Sequence, residues 1–412
     1  MASVRLALTE RVAFLSAFQY RNYRLYWSGM LVATMGAEIL KISLLWLVYD
    51  LTGSTLYLGF VGGIQGVTTI VFNLFGGVLA DRVDRRRLIW ATNLTFFLII
   101  LALAVLTAGK LIQVWHLVVF SAMFGTVTAF DTPSRQALIP NLIGDRKHLM
   151  NAIAMHSVIW QSSRVVGPAL AGILIAVVGM APCFFIAAAA HLAMVVAMSL
   201  VHLAGPVKRT GQSVAAALVE GVQYVRGNSA IFSVIGMVFV NSLFGMSFIF
   251  LMPVFAKDIF QGDSSGYGFL MTAMGVGTLC GGLFTAASSR FKSKHIFLLG
   301  ASAAYGLLLI GFSFSRVYSG SVALLALAGF MQQIYMVTAQ TIVQWMVTEE
   351  VRGRVMGIYS LVWSLTPVGS LQAGLVANYF GAPIAVAFGG AMVSSFTVFL
   401  LLAVPRVRKI EV

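Results

Sequence analysis

The run Gly77-Val78-Leu79-Ala80-Asp81-Arg82-Val83-Asp84-Arg85-Arg86-Arg87-Leu88 lies between two long apolar segments. Two aspartates and four arginines in so short a stretch are too costly for hydrocarbon. The run therefore predicts a short loop joining two membrane-spanning helices. Its arginines place that loop on the cytoplasmic side, because short cytoplasmic loops carry the excess of Lys and Arg.

The rest of the chain agrees with that reading. Of its 412 residues, 59% are hydrophobic and only 10% charged, with mean hydropathy +0.92. Soluble domains carry about 25% charge, so the composition predicts a polytopic membrane protein. The formal net charge of +14 would suggest nucleic acid in a soluble protein. Here it is read as loop charge, and no nucleic-acid partner is expected. Arginines precede residue 21, but no apolar stretch ending in small residues follows them, so no cleavable signal is expected. Cys183 and Cys280 lie inside apolar segments and read as packing residues.

Apolar segments long enough to cross about 30 Å of hydrocarbon recur along the chain. They fall near 25–49, 56–80, 88–108, 112–131, 148–176, 180–202, 230–256, 266–288, 294–314, 319–344, 354–377 and 382–404. The predicted fold is all-α, with twelve spans. Alternate loops hold Arg82 with Arg85–Arg87, Arg135 with Lys147, Lys208 with Arg226, Arg290 with Lys294, and Arg352 with Arg354. The opposite loops hold only Lys110, Lys257 and Arg316, which predicts a multi-pass protein of the cell (inner) membrane with both termini cytoplasmic.

The longest interior connection carries Leu218, Val222 and Val225 at helical spacing, predicting a short amphipathic helix on the membrane surface. The domains are then a six-helix bundle over 1–202, a linker over 203–229 and a second six-helix bundle over 230–412. The halves echo each other: Gly53 and Gly59 match Gly262 and Gly268 at an offset of 209, and Gly172 and Gly179 match Gly374 and Gly381 at 202. Trp160 matches Trp363 at 203. Two parallel repeats related by a pseudo-two-fold axis form a transporter architecture, with the substrate site between the halves near the bilayer midplane.

The 77–88 run resembles the loop between helices 2 and 3 of the major facilitator superfamily, G-x-L-A-D-R-x-G-R-R-R, with Asp84 standing where the family has Gly. Phe130-Asp131-Thr132-Pro133-Ser134-Arg135, Asn22-Tyr23-Arg24-Leu25-Tyr26-Trp27 and Arg352-Gly353-Arg354 resemble one branch of it, which includes the enterobactin exporter and macrolide-efflux proteins. The resemblance implies a cytoplasmic gate built from Gly77, Asp81, Arg82, Arg85, Asp131, Arg135 and Arg354. Asp81 and Arg85 would grip the chain near Gly353 and Arg354, and Asp131 would pair with the arginine loop. Ser163-Arg164-Val165-Val166-Gly167-Pro168-Ala169-Leu170-Ala171-Gly172 resembles the G-x-x-x-G-P-x-x-G-G motif of exporters, with Ser163 and Ala171 replacing two glycines. Its Gly167, Pro168 and Gly172 imply export; an ordinary kinked packing face is the alternative.

Glu38, Lys41 and Arg164 fall within spans. Glu38 and Lys41 together cost ~6 kcal/mol on the insertion scale, and the ten Leu, Ile and Val residues of 25–49 return only about 5 kcal/mol. The segment inserts only if these charges face protein or water, so they are expected at the cavity, with Glu38 near Lys41, Arg164 or both. Burial favours the neutral acid and nearby cations favour the carboxylate. Two readings of Glu38 stay open: proton carrier or structural ion pair.

The second half has no acidic residue at membrane depth. Asn241, Gln332, Gln333, Tyr335 and Trp363 are the candidates there for a large, mostly apolar substrate. Histidines are scattered without ligand spacing, so no metal is expected, nor any cofactor. No catalytic constellation converges, so the chain is not read as an enzyme.

The expected function is export of amphipathic or lipophilic small molecules by alternating access. Proton antiport is the expected energy source, since no Walker-type loop is present, and a monomer is the expected unit. The alternatives are a dedicated exporter of one metabolite, such as a siderophore, and a transport-inactive scaffold or sensor.

Overall fold

The computed structural model describes residues 16–202, 214–288 and 294–404. Side chains at 74, 77, 78, 80–82, 146 and 214–218 lie outside that description, as do the charges expected at Lys208, Arg209, Arg290, Lys292 and beyond 404.

The first half comprises α1 (Arg21–Thr52), α2 (Thr55–Arg82), α3 (Arg85–Ala108), α4 (Val114–Leu142), α5 (Leu149–Val178) and α6 (Met180–Leu200). A short helix, α7 (Val214–Gly227), leads into the second half. There α8 (Ser229–Ile259), α9 (Ser264–Ala287), α10 (Lys294–Phe314) and α11 (Tyr318–Met346) precede α12 (Glu349–Trp363), α13 (Thr366–Phe380) and α14 (Ala382–Ala403). Eleven of these helices are long and apolar enough to cross a membrane. The twelfth crossing is the pair α12 and α13, interrupted at Ser364-Leu365, because Pro367 has no amide hydrogen to continue the ladder.

Three local departures from the expected spans have simple causes. The 77–88 loop shrinks to Val83 and Asp84, with α2 helical through Arg82. Asp84 is the N-cap of α3, its Oδ1 accepting the Arg86 amide at 2.9 Å, which is what an aspartate supplies in place of glycine. α4 continues through Pro133 and Pro140 to Leu142. Pro133 leaves the Ala129 carbonyl without its usual donor, and that carbonyl sits against Gly76, where a Cβ would come within 2.1 Å. α8 is irregular, with π-type turns at Asn241–Gly245 and Phe255–Ile259 around a 3-10 turn at Ser247–Leu251.

The repeat read from the sequence is realised in space. Gly179 and Gly381, between α5 and α6 and between α13 and α14, both take left-handed φ, 85° and 89°. The halves meet along two seams, α5 on α9 and α2 on α13. In one seam a Cβ on Gly172 would lie 2.9 Å from the Gly268 Cα; in the other a Cβ on Gly374 would lie 2.8 Å from the Gly59 Cα. Ser264 donates to the Gly172 carbonyl at 3.2 Å, and Thr55 donates to the Gly374 carbonyl at 3.3 Å. The same backbone-on-backbone contact is thus made twice, by small residues that let helices approach without side chains between them.

Both seams lie toward the end of the molecule away from the described termini. There one apolar core runs continuously from Leu45 and Trp46 of α1 to Met252 and Phe255 of α8. At the terminus-bearing end the core divides. One cluster, around Tyr26, Met30, Leu142 and Met198, belongs to the first half; another, around Ile231, Leu298, Ile342 and Val355, belongs to the second.

Candidate transport pathway

The sealed end is closed by polar contacts as well as glycines. Tyr49 near the end of α1 donates its hydroxyl to Asp258 near the end of α8. Beside it, Lys257 Nζ lies 2.6 Å from Asp50 Oδ1. Sequence reasoning assigned these four residues no role. The signal was present, since Tyr49 and Asp258 are separated by the repeat offset of 209 residues.

The split end opens as a cleft. On α5, Ala152, Met155 and Gly167 face α1: Tyr23 donates to the Ala152 carbonyl, Trp27 to the Met155 carbonyl, and a Cβ on Gly167 would lie 2.6 Å from Glu38 Cβ. The Arg164 and Pro168 carbonyls and Gly172 face Gly275 and Gly268 of α9. At 3.6 residues per turn, the stripe Met150, Ile153, Ser157, Trp160 and Arg164 points between these two packed faces. Every member of it is exposed, and the next positions, Gly167, Pro168 and Ala171, are buried. Arg164 therefore stands at the inner end of the open stripe. On α12, Gly353 and Gly357 face open space.

Glu38 pairs with Lys41 one turn on, Oε2 to Nζ at 3.7 Å. The Glu38 side chain is 14% exposed and that of Lys41 is 42% exposed. Tyr267 of α9, whose ring stacks on Trp46, has a buried hydroxyl without a hydrogen-bond partner among the described residues. Of the two expected partners for Glu38, only Lys41 takes the role. Arg164 forms no ion pair and no side-chain hydrogen bond among the described residues.

The other intramembrane carboxylate is buried. Asp131 pairs with Arg135 one turn on and accepts from Thr92 Oγ1 at 2.7 Å and Asn93 Nδ2 at 3.1 Å. Arg135 Nη2 donates to Asn93 Oδ1 at 3.1 Å, and His191 Nδ1 lies 3.1 Å from the same oxygen. This network ties α3, α4 and α6 together and corrects the expected pairing of Asp131 with the arginine loop. A buried carboxylate is held by donors that desolvate with it, not by an exposed loop cation.

The expected grip between Arg85 and the start of α12 is also absent among the described contacts. Arg85 donates to the Ala137 carbonyl at 3.0 Å and to Asn141 Oδ1 at 3.2 Å, both in α4. Arg354 instead binds Glu220 of α7. The side chains of Asp81 and Arg82 lie outside the described residues. The divided core explains the difference: at this end the halves stand apart.

In the second half, Asn241 and Tyr335 are fully buried and their side-chain polar atoms lack partners among the described residues. Gln332 is buried and donates to Met246 Sδ. Gln333 lies half-buried over Gly281, and Trp363 is half-buried at the break between α12 and α13. In this conformation Asn241, Gln332 and Tyr335 belong to the bundle interior and not to the cleft wall.

A family model described as transmembrane secretion effector matches residues 12–412. The chain belongs to this family, a branch of the major facilitator superfamily of transporters. The staphyloferrin A transporter of Staphylococcus aureus is 27% identical to it over 86% of this chain and 89% of that protein. The multidrug efflux pump Tap of Mycolicibacterium fortuitum is 24% identical over 92% and 95%. The enterobactin exporter of Shigella boydii is 23% identical over 82% and 80%. The crystal structure of a bacterial homologue of the human lysosomal transporter Spinster superposes with a TM-score of 0.71, at 15% identity, over 94% of this chain and 96% of that one. That likeness is one of fold. The family and the architecture describe a transporter and not an enzyme.

Proposed function

We propose that this chain is a secondary active transporter of the cell membrane that exports amphipathic or lipophilic small molecules from the cytoplasm by alternating access. The observation that carries this reading is the asymmetry between the two ends. Two matching glycine seams and a cross-half ion pair close one end, while a cleft with charged groups at its depth opens at the other. The loops at the open end carry most of the Lys and Arg, so that end and both termini are assigned to the cytoplasm. The cleft then faces the compartment from which an exporter loads. One chain supplies both halves of the pathway, so a monomer is the proposed unit.

Proton antiport is the proposed energy source. Glu38 has its own cation one turn away and is assigned a structural role, neutralising Lys41. Asp131, the other carboxylate at membrane depth, is likewise paired one turn on, with Arg135, and is the next candidate to test for coupling. The gate role of Gly77, Asp81, Arg82 and Arg85 is proposed for the state in which the open end closes.

Retention of a broad panel of lipophilic compounds, compared in cells with and without the chain, tests the exporter reading. Lower retention of several compounds supports it. Equal retention across the panel, with the protein verified in the membrane, overturns it. A second reading, a dedicated exporter of one metabolite, is favoured by the similarity to two siderophore transporters. A profile confined to one chemical class would decide for it.

A further inference from the structure

The charge balance of the cleft carries an inference about the substrate, which rests on the exporter reading. The chain has two carboxylates at membrane depth, Glu38 and Asp131. Asp131 is consumed by Arg135 inside the first bundle, and Glu38 by Lys41. No Asp or Glu occurs between Asp263 and Glu349, or between Glu350 and Glu411, so the second half supplies no carboxylate at this depth. Arg164 is left as a guanidinium at the inner end of the open stripe, without a partner among the described residues.

A permanent charge at that depth is expensive unless water or a counter-ion meets it. Arg164 lies one turn toward the open end from Gly167, which faces Glu38, and Lys41 lies one turn the other way from Glu38. The backbone positions of the two cationic residues are thus offset by about 9 Å along the helix axes. A guanidinium binds a planar oxyanion in bidentate fashion, and the exposed Trp160 one turn below offers an apolar ring beside it.

We propose that the cleft selects anionic amphiphiles: Arg164 pairs with a carboxylate or similar oxyanion of the substrate. Export of such a substrate moves negative charge outward. It therefore draws on the interior-negative membrane potential in addition to any exchanged proton.

The test uses inside-out vesicles and two probes, a lipophilic dye bearing one carboxylate and its neutral methyl ester. The carboxylate dye is expected to accumulate about tenfold faster than the ester, the preference due to one nearby charge in a partly desolvated site. A lumen-positive potential should speed the carboxylate dye alone. Arg164→Gln should bring the ratio near one, and Arg164→Lys should restore part of it. A wild-type ratio at or below one, or a ratio unchanged in Arg164→Gln, overturns the proposal.

A second readout does not depend on transport. In a Cys280→Ser background, a cysteine at Ser157, on the same exposed stripe, is labelled with anionic and cationic methanethiosulfonates. Preference for the anionic reagent that is lost in Arg164→Gln supports the proposal, and preference for the cationic one overturns it. If neither dye moves while the labelling preference holds, the exporter reading fails and the anion site stands.

Discussion

The hydroxyl of Tyr49 in the first half donates to the carboxylate of Asp258 in the second, across the end at which the two halves are closed. Together with Lys257 and Asp50 it forms a polar clasp that must part whenever that end opens. The two contacts are unequal. Lys257 and Asp50 are each about two-fifths exposed, so their pair is worth at most ~1 kcal/mol. Tyr49 is buried and bonded to a charged group, a bond worth about 1.5–3 kcal/mol. Tyr49→Phe is therefore expected to shift the balance toward opening at this end by about tenfold or more. Asp50→Asn should shift it by at most about fivefold. Distance distributions between spin labels at the two ends measure both shifts, and equal effects would contradict this ranking.

The glycine seams predict a positional contrast. Gly172→Ala would place a Cβ 2.9 Å from the Gly268 Cα and 2.6 Å from the Ser264 carbonyl oxygen, both backbone atoms that cannot turn aside. Its expected cost is about 1–3 kcal/mol, together with partial opening of the closed end. Gly357→Ala meets nothing within 4 Å and gains helix propensity. Thermal unfolding in detergent should show a lower midpoint for the first variant and an unchanged or slightly higher one for the second.

The buried pair Asp131–Arg135 predicts non-additive energetics. Arg135→Met strands a carboxylate among Thr92 and Asn93 and should cost about 3–5 kcal/mol. Adding Asp131→Leu should recover much of that loss, because a buried pair replaced by apolar groups is close to neutral. A double-mutant cycle on unfolding midpoints measures the coupling; additive losses would refute the pairing.

Much of this was legible in the chain. The twelve crossings follow from hydropathy, the duplicated seams from the offset that links Gly59 to Gly268, and the Glu38–Lys41 pair from their one-turn spacing. What was not legible depends on packing between segments far apart in sequence. The span expected near 112–131 put Asp131 at a helix end, whereas the helix runs on through Pro133 to Leu142. There the Ala129 carbonyl freed by Pro133 lies close against Gly76. The breaks in α8 and at Ser364-Leu365 lie inside apolar runs, where hydropathy is blind to the hydrogen-bond ladder. The fit of Glu38 over Gly167 joins two spans whose mutual rotation no local pattern specifies.

Glu38 itself gives a prediction about charge. If it serves to neutralise Lys41, Glu38→Gln leaves two uncompensated cations at the cleft. The variant should keep the pH dependence of transport and favour an anionic dye over its ester more strongly than the parent does. Rates across a pH series with both dyes check this. Loss of pH dependence in a folded Glu38→Gln variant would make Glu38 the proton carrier instead.

The most direct test of the whole account is dye accumulation in inside-out vesicles under an imposed pH gradient, with the protein's orientation verified. The account predicts uptake into the lumen that rises with the gradient and collapses when a protonophore removes it. Uptake only in right-side-out vesicles, or none in either orientation across a panel of lipophilic anionic and neutral dyes, would contradict it.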